Sequence, residues 1–480
     1  MNEALFKPYA ALPAWTALFK QIANTPCLNL TGMAEGEKPF FAAALHQATG
    51  RPLLLLSPTE LTAKRQAQDL RQLGLEAALL PSRDVQFSRA ASSRESTWQR
   101  LQVLTDAVNG KVQVLCVSAE AILDRCPNKD AFKNASLLLR EGGRIAPGML
   151  MDTLLRLGYE RVAMAEGRGQ CAMRGAIIDV FPPTELDALR IEFFDDEIDS
   201  IRRFDPISQR SIERVKSVMV TSASECILVD PVSAATRFQA AIREHAEIEG
   251  KPSRKEDDLG ALDDFFDSID NEEAAAEIAA GALIDAADKP QTPSRAKSHL
   301  DDAAMLQAGQ PIRTAPMWLN VLCPNTDTAD AYLDQPIVLV DQPDQIQSRA
   351  KAKHDAFQTA WQEAALRGDS FPAQKDLLLP YPDLLSSLKR HAVLLVSDLS
   401  RGLGQFAPTD ALSFPSEPVM PYHGRLEPLS KDIRAWQAEG CSVLLLTGGE
   451  ARGQRLLRAL ERQDVSASYA QTADAPLEPG

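Results

Sequence analysis

Residues 31–40 carry the elements of a phosphate-binding loop. They read TGMAEGEKPF, follow an apolar strand and precede a predicted helix. In a P-loop, glycine amides and one lysine surround phosphate oxygens at the N-terminus of a helix. Gly32 and Lys38 occupy the first-glycine and lysine positions of that motif. Their spacing indicates a loop of the nucleotide-binding type.

Three neighbouring residues of this loop oppose nucleotide binding. Glu37 replaces the last glycine of the motif, and Glu35 adds a second carboxylate in the same turn. Pro39 replaces the serine or threonine that binds magnesium, and it also removes a backbone N–H donor. Carboxylates beside a polyphosphate cost more free energy than the single lysine contributes. We therefore expect negligible ATP binding.

A later strand has the form of a Walker B segment. Ile337–Val340 is followed by Asp341, and then by Gln342 where a carboxylate would polarise water. An amide cannot act as a base, although these residues also fit an ordinary buried strand end. Gly32, Lys38 and Asp341 together predict a degenerate nucleotide site. We expect no cofactor, no metal ligands, no catalytic residues and hence no enzymatic activity in this chain.

The elements that would position this loop alternate between strands and helices. Apolar runs predict the strands, and 3.6-residue periodicity predicts the helices. Such alternation is typical of a parallel sheet covered by helices, so the predicted fold class is α/β. In the first domain segment, residues 1–140, the predicted strands are Cys27–Thr31, Leu53–Ser57, Val112–Val117 and Ser136–Leu139. The predicted helices are Lys38–Ala48, Thr59–Leu73 and Ser93–Val108.

Four further segments follow from pattern and composition. Residues 141–210 predict a small inserted α+β domain with strands at Ala176–Phe181, Arg190–Phe194 and Ile198–Phe204. Residues 211–376 complete the first domain and include an acidic insertion at 250–295. Residues 377–470 predict a second, smaller α/β domain, and residues 471–480 predict a linker. The predicted elements of that second domain are helix Leu426–Ala438, strand Ser442–Thr447 and helix Glu450–Gln463.

Composition and charge exclude several classes of protein. The net charge of −15 over 480 residues argues against a broad DNA-coating surface. Residues 256–288 contain twelve acidic residues and no basic one, which indicates a surface that repels nucleic acid or a solvated insertion. The seven cysteines have no paired spacing and are expected to be buried thiols. Without a membrane-spanning run or a signal pattern, a cytoplasmic location is expected.

Residues 174–205, RGAIIDVFPPTELDALRIEFFDDEIDSIRRFD, resemble the module with which bacterial nucleotide-excision-repair proteins bind the excinuclease A subunit (UvrA). The module occurs in excinuclease B and in the transcription-repair coupling factor. Excinuclease B also has an intact P-loop and a tyrosine-rich hairpin that enters damaged DNA. Here no tyrosine lies between Tyr9 and Tyr159, and Pro81–Glu95 lacks a stacking surface. The resemblance is therefore to the N-terminal part of the coupling factor.

This resemblance implies a degenerate helicase-like scaffold. It also implies a fragment, since the family adds a polymerase-binding domain and a DNA motor that uses ATP and magnesium. The implied partner is excinuclease A, whereas RNA polymerase and DNA would bind through the missing C-terminal part. The expected function is recruitment of excinuclease A to stalled RNA polymerase. The alternatives are an excinuclease-B-like, ATP-dependent protein that binds damaged DNA, and a free-standing structural protein.

The resemblance also assigns individual contacts with excinuclease A. Ala172 replaces a further arginine of the family, and Asp195–Glu197 is predicted to be a turn of solvated acids rather than a metal site. Arginines and a carboxylate around an aromatic residue suit a specific, transient interface. The assigned contact residues are Arg161, Arg174, Arg190, Glu192 and Phe193.

The strand period divides this block into two faces. Arg190, Glu192 and Phe194 share one face of their strand, and Phe193 lies on the other. The pattern leaves open whether Phe193 is a contact or a core residue. Phe194 and Phe181 are predicted to be core.

Overall fold

The computed structural model describes residues 6–22, 27–83, 87, 94–249, 295–397, 403–419, 421–447 and 449–470. The strands in these ranges are β1 Cys27–Thr31, β2 Leu53–Ser57, β3 Ala77–Leu80, β4 Val114–Ser118, β5 Cys126–Pro127, β6 Ser136–Arg140, β7 Glu160–Arg161, β8 Gln170–Arg174, β9 Ile177–Phe181, β10 Ala188–Phe194, β11 Glu197–Phe204, β12 Ser211–Arg214, β13 Ser217–Thr221, β14 Thr326–Asp327, β15 Ile337–Asp341, β16 Ala392–Ser397 and β17 Asp410–Ser413.

The α-helices in the same ranges alternate with these strands in the first half of the chain and again around β15 and β16. They are α1 Lys7–Ala10, α2 Pro13–Ile22, α3 Lys38–Thr49, α4 Glu60–Gln72, α5 Glu95–Val108, α6 Lys129–Asn134, α7 Pro147–Arg156, α8 Pro231–Glu249, α9 Arg295–Gln307, α10 Leu319–Leu322, α11 Pro343–Leu366, α12 Tyr381–Leu388, α13 Leu426–Ala438 and α14 Glu450–Glu461.

A large parallel sheet forms the centre of the described structure. Its strand order is β17-β1-β16-β15-β2-β4-β3. The central strands β2, β4 and β15 are continuous apolar runs, as expected of strands that helices cover on both faces. Leu54 and Leu56 pack into the core on one side of the sheet, and Leu53 and Leu55 pack into the core on the other.

A second sheet has the order β12-β11-β10-β9-β8-β7, and only its β7–β8 pair is parallel. Its side chains alternate between a buried and a solvent-facing surface, as in other sheets with one covered face. Ile178, Ile191 and Ile201 on the buried face belong to the same core cluster as Leu54 and Leu56 of the large sheet. The two sheets therefore share one hydrophobic core.

Two of the other clusters in the described residues pack around helices outside this shared core. The first surrounds α8 and α10, where the Phe238 and Trp318 rings lie 4.8 Å apart. The second contains Ile433, Leu460 and Val465 of the segment with α13 and α14. Each cluster buries the apolar side of its own helices.

The large parallel sheet confirms the predicted α/β class. The predicted boundary at residue 377 falls inside this sheet, because β16 and β17 both pair with β1. The prediction of a strand at Ser442–Thr447 was wrong, since those residues pair with no other described strand. Apart from residue 295, the acidic insertion predicted at 250–295 lies outside the described ranges, and so does the linker at 471–480.

Candidate partner-binding surface and degenerate phosphate loop

The solvent-facing side of the second sheet carries a set of registered charged residues. Arg190 on β10 lies opposite Asp179 on β9 and Arg202 on β11. Glu192 lies two residues further along β10, opposite Ser200. Since side chains two residues apart point to the same side, these residues form one charged face.

Asp179 is the centre of this charged face. Its buried carboxylate accepts two hydrogen bonds from Arg190, at 2.7 Å from Nε and 2.9 Å from Nη2. Arg174 Nη2 donates a third at 2.7 Å. Such paired, charge-assisted bonds hold guanidinium groups in fixed orientations. Asp179 therefore orients Arg174 and Arg190 towards the same part of the surface.

Arg190 is further restrained by two neighbours. Its Nη2 donates to Gln209 Oε1 at 3.0 Å, and its guanidinium carbon lies 4.5 Å from the centre of the Phe204 ring. The hydrogen bonds to Asp179 raise the pKa of Arg190, against the opposing effect of its partial burial. The guanidinium is therefore a fixed cation stacked on an aromatic face.

Glu192 supplies the anionic part of the same face. Its Oε2 accepts a hydrogen bond from Ser200 Oγ at 2.7 Å and lies 3.5 Å from Arg202 Nη2. The side chains of Glu192 and Arg202 remain partly exposed. This arrangement offers a partner both a positive and a negative group at defined positions, which favours specific recognition.

The residues of the phosphate loop are bonded to each other. Lys38 Nζ donates to Asp341 Oδ1 at 2.7 Å and to Glu35 Oε2 at 2.6 Å. Gln66 Nε2 donates to the second oxygen of Asp341 at 3.2 Å. Burial alone would lower the pKa of Lys38, but Asp341 and Glu35 outweigh that effect and raise it. The lysine predicted to bind phosphate is therefore neutralised by carboxylates of the chain.

Other residues of the chain fill the space beside the loop. Ser416 donates its backbone N–H to the Gly32 oxygen at 2.9 Å and accepts a bond from Ala34 N at 2.7 Å through its hydroxyl. A Cβ at Gly32, whose φ is +85°, would lie 3.1 Å from the Phe414 oxygen. Tyr9 donates its hydroxyl to Glu37 Oε1 at 2.9 Å. The structure thus brings Lys38 and Asp341 together and packs Gly32 against the segment that follows β17.

Comparison with known proteins identifies the second sheet. Residues 137–226 match the family model of the UvrB interaction domain. The chain is 33% identical to the transcription-repair-coupling factor of Bacillus subtilis (strain 168) over 202 residues, which are 42% of this chain and 17% of that protein. It is 30% identical to the Staphylococcus aureus (strain USA300) factor over 206 residues, or 42% of this chain and 18% of that protein.

Over the matched residues, the chain is similar to the transcription-repair-coupling factors. It spans less than a fifth of the length of these relatives. The resemblance expected from residues 174–205 is confirmed, since β8, β9, β10 and β11 all lie within the matched UvrB interaction domain. Among the described helices, none is both long and apolar enough to cross a membrane.

The structure separates the aromatic residues of the UvrB interaction domain. Phe193 is 7% exposed and belongs to the core shared by the two sheets, so it does not reach the charged face. Phe194 is 81% exposed, and its assignment to the core was wrong. Burial alternates along β10 to its last residue, so Phe194 follows Arg190 and Glu192 outwards. The prediction of Phe181 as a core residue is confirmed.

Arg161 lies apart from the other predicted contacts. It is exposed on the edge strand β7, in register with Cys171, whose side chain lies in the core on the opposite side from Arg190. Its side chain forms no ion pair or hydrogen bond with another residue in the described ranges. Ala172, the misfit to the family, is buried in register with Asp179 and supplies no charge there.

Sequence reasoning missed the residues that organise this face. Asp179 is the only acidic residue in the apolar strand Ile177–Phe181. A single acid in an apolar strand indicates a buried carboxylate that pairs with an arginine, and this signal was available in the sequence. Phe204 and Gln209 lie too far along the chain from Arg190 for a strand pattern to connect them. The predicted turn is confirmed at Asp195 and Asp196, where Asp195 has a φ of +59°, whereas Glu197 begins β11.

Proposed function

We propose that this chain binds excinuclease A through the docking face, which consists of Arg174, Arg190, Glu192 and Phe194, and through the separate, exposed Arg161 on the edge strand β7. The observation that carries the proposal is the row of fixed charges ending in an exposed phenylalanine. A solvent-exposed aromatic residue flanked by oriented arginines is the composition of interface hot spots. The match to the UvrB interaction domain supports the choice of partner.

In the cell, this contact recruits excinuclease A to RNA polymerase stalled at a lesion, for transcription-coupled nucleotide-excision repair. The named relatives, which are transcription-repair-coupling factors, support this role. We propose that contacts with RNA polymerase and DNA lie outside residues 137–226. We further propose a binding role without ATP chemistry, which the contacts of Lys38 with Asp341 and Glu35 support.

Binding of purified excinuclease A, measured by calorimetry, tests the docking face. Phe194→Ala should weaken binding at least about tenfold, the effect of roughly 1.4 kcal/mol, because it removes the exposed anchor. Arg161→Ala/Arg174→Ala should weaken it similarly. Asp179 keeps its pairing with Arg190 in that double variant, so the sheet should remain folded.

Two variants control for lost apolar area and lost charge. Leu366→Ala removes an equally exposed apolar side chain on α11, and Arg452→Ala/Arg455→Ala removes two exposed cations on α14. Neither should change the affinity. Equal binding by wild type and the docking-face variants would refute the proposal. Micromolar binding of a fluorescent ATP analogue would instead favour the ATP-dependent alternative.

A further inference from the structure

Two free cysteines lie in contact at the end of the UvrB interaction domain. Cys226, the last residue matched to that domain, and Cys323 are 97 positions apart in sequence, with their Sγ atoms 3.5 Å apart. Cys226 is 2% exposed and Cys323 is 9% exposed. Cys323 directly follows α10, so the sulfur pair joins the segment after β13 to the cluster around α8 and α10.

The surroundings favour a thiolate at one member of this pair. Arg237, on α8, donates to the Val321 oxygen at 2.8 Å and to the Leu322 oxygen at 2.9 Å, which places its charge beside Cys323. A hydrogen bond from Cys226 lowers the pKa of Cys323 from its ordinary value against the raising effect of burial, and Ile227, Arg237 and Arg83 lower it further. A thiolate near cations is the reactive form of cysteine.

The pKa of Cys226 is itself raised, chiefly by its hydrogen bond with Cys323, so the other buried thiols differ in pKa from Cys323 alone. Burial raises the pKa of Cys116, Cys126 and Cys171 to about 12. Cys171 contacts the sulfur of Met151 at 3.6 Å instead of a second thiol. Oxidation should therefore be selective for the Cys226–Cys323 pair.

We propose that Cys226 and Cys323 are a redox-sensitive pair that a peroxide converts into a disulfide. The Cys323 thiolate attacks one peroxide oxygen, the O–O bond breaks, and the leaving hydroxide takes up a proton to form water. The product is a sulfenic acid on Cys323. Cys226 then attacks that sulfur and loses its thiol proton, the S–O bond breaks, and the leaving hydroxide takes up this proton to form a second water. Two thiols are oxidised and one peroxide is reduced to two waters.

The geometry requires a small movement. A disulfide has an S–S distance of about 2.05 Å, so the two sulfurs must approach by roughly 1.5 Å. The bond would attach the C-terminal end of the UvrB interaction domain covalently to α10. Because it closes a loop across 97 positions, it should restrict the unfolded chain strongly.

Mass spectrometry of the whole chain tests the pair. The folded protein is titrated with hydrogen peroxide, unfolded in N-ethylmaleimide and digested without reduction. We expect a peptide pair linked through Cys226 and Cys323, formed before Cys116 reacts and lost after dithiothreitol. A Cys226→Ser variant, which keeps a hydrogen-bond donor beside Cys323, should accumulate a dimedone-reactive sulfenic acid at Cys323, whereas Cys323→Ala should leave Cys226 reduced.

The wild-type titration tests the proposed disulfide even if the cysteine variants do not fold. If Cys226 and Cys323 remain alkylated by N-ethylmaleimide as completely as Cys116 throughout the titration, the proposal is overturned. A crosslink that instead joins the exposed Cys441 to either residue would also overturn it, because the product would not reflect the observed sulfur contact.

Discussion

Lys38 retains the position of a phosphate-binding lysine but has an internal partner. Its ammonium contacts Asp341 and Glu35, and its side chain is almost completely buried with that of Asp341. A buried ion pair contributes little net stability compared with apolar side chains of similar volume, yet removal of one partner leaves an unpaired charge. Single and double substitutions of Lys38 and Asp341 therefore test whether this ion pair stabilises the phosphate loop.

Lys38→Met should lower the free energy of unfolding by about 3 kcal/mol or more, because Asp341 would remain buried without its cation. The double variant Lys38→Met/Asp341→Leu should recover most of that loss. Denaturant titration at neutral pH measures both. The folded-state pKa of Lys38 is raised, so its contribution is complete below about pH 10 and is lost only as the pH rises through that pKa. Equal stability of both variants would contradict the pairing.

Phe193 and Phe194 show what a strand pattern can and cannot determine. The period of two correctly grouped Phe194 with Arg190 and Glu192, because alternation depends only on backbone geometry. It did not identify the buried face, because an aromatic side chain is not always buried. Ile191 and Phe193 are buried because they pack into the core shared with the large sheet. The sequence of a single strand does not contain this tertiary contact.

The same limit applies to the strands of the large sheet. The strand–helix alternation predicted a parallel sheet, but not that β16 and β17 would return beside β1. Crossover connections allow a later strand to join either edge, so sequence order does not give sheet order. An apolar run such as Ser442–Thr447 becomes a β-strand only where its backbone pairs with a neighbouring strand.

Gly169 lies against the ring of Trp98. It precedes β8 with a φ of +77°, and a Cβ there would lie 2.6 Å from the Trp98 ring of α5. Gly175, between β8 and β9, has a φ of +60°, but apart from its chain neighbours no atom of the described residues lies within 4 Å of such a Cβ. A comparison of substitutions at these two glycines therefore distinguishes the cost of left-handed backbone strain from the cost of steric contact with Trp98.

Gly169→Ala should lower the free energy of unfolding by roughly 2–4 kcal/mol, because it combines left-handed strain with overpacking against Trp98. Gly175→Ala should cost only about 1 kcal/mol, the strain alone. Chemical denaturation of the two variants gives the comparison. Trp98→Phe in the Gly169→Ala background should relieve part of the larger loss. Equal losses of stability for the two substitutions would show that Gly169 does not pack closely against Trp98.

On the scale of the whole molecule, a buried charge network connects elements that are distant in sequence. Glu225, which follows β13, accepts bonds from Arg100 of α5 at 2.7 Å and from Arg83, after β3, at 2.5 Å. Asp124 accepts a bond from the Arg83 backbone N–H at 2.6 Å and from Lys353 of α11 at the same distance. The network therefore joins the end of the UvrB interaction domain to the large sheet and its helices.

This network should make the whole chain sensitive to acid. Burial alone would raise the pKa of Glu225, but Arg100 and Arg83 outweigh it and lower the pKa to about 2. The stabilising contribution is complete above about pH 4.5 and is lost as the pH falls towards 2, with a size on the order of 3 kcal/mol. Glu225→Gln should remove this amount at pH 7 and flatten the stability profile in that window.

Glu213→Gln, at an exposed pair with Arg203, should change little. Parallel stability profiles for wild type and Glu225→Gln between pH 4.5 and 2 would show that the carboxylate does not hold these elements together.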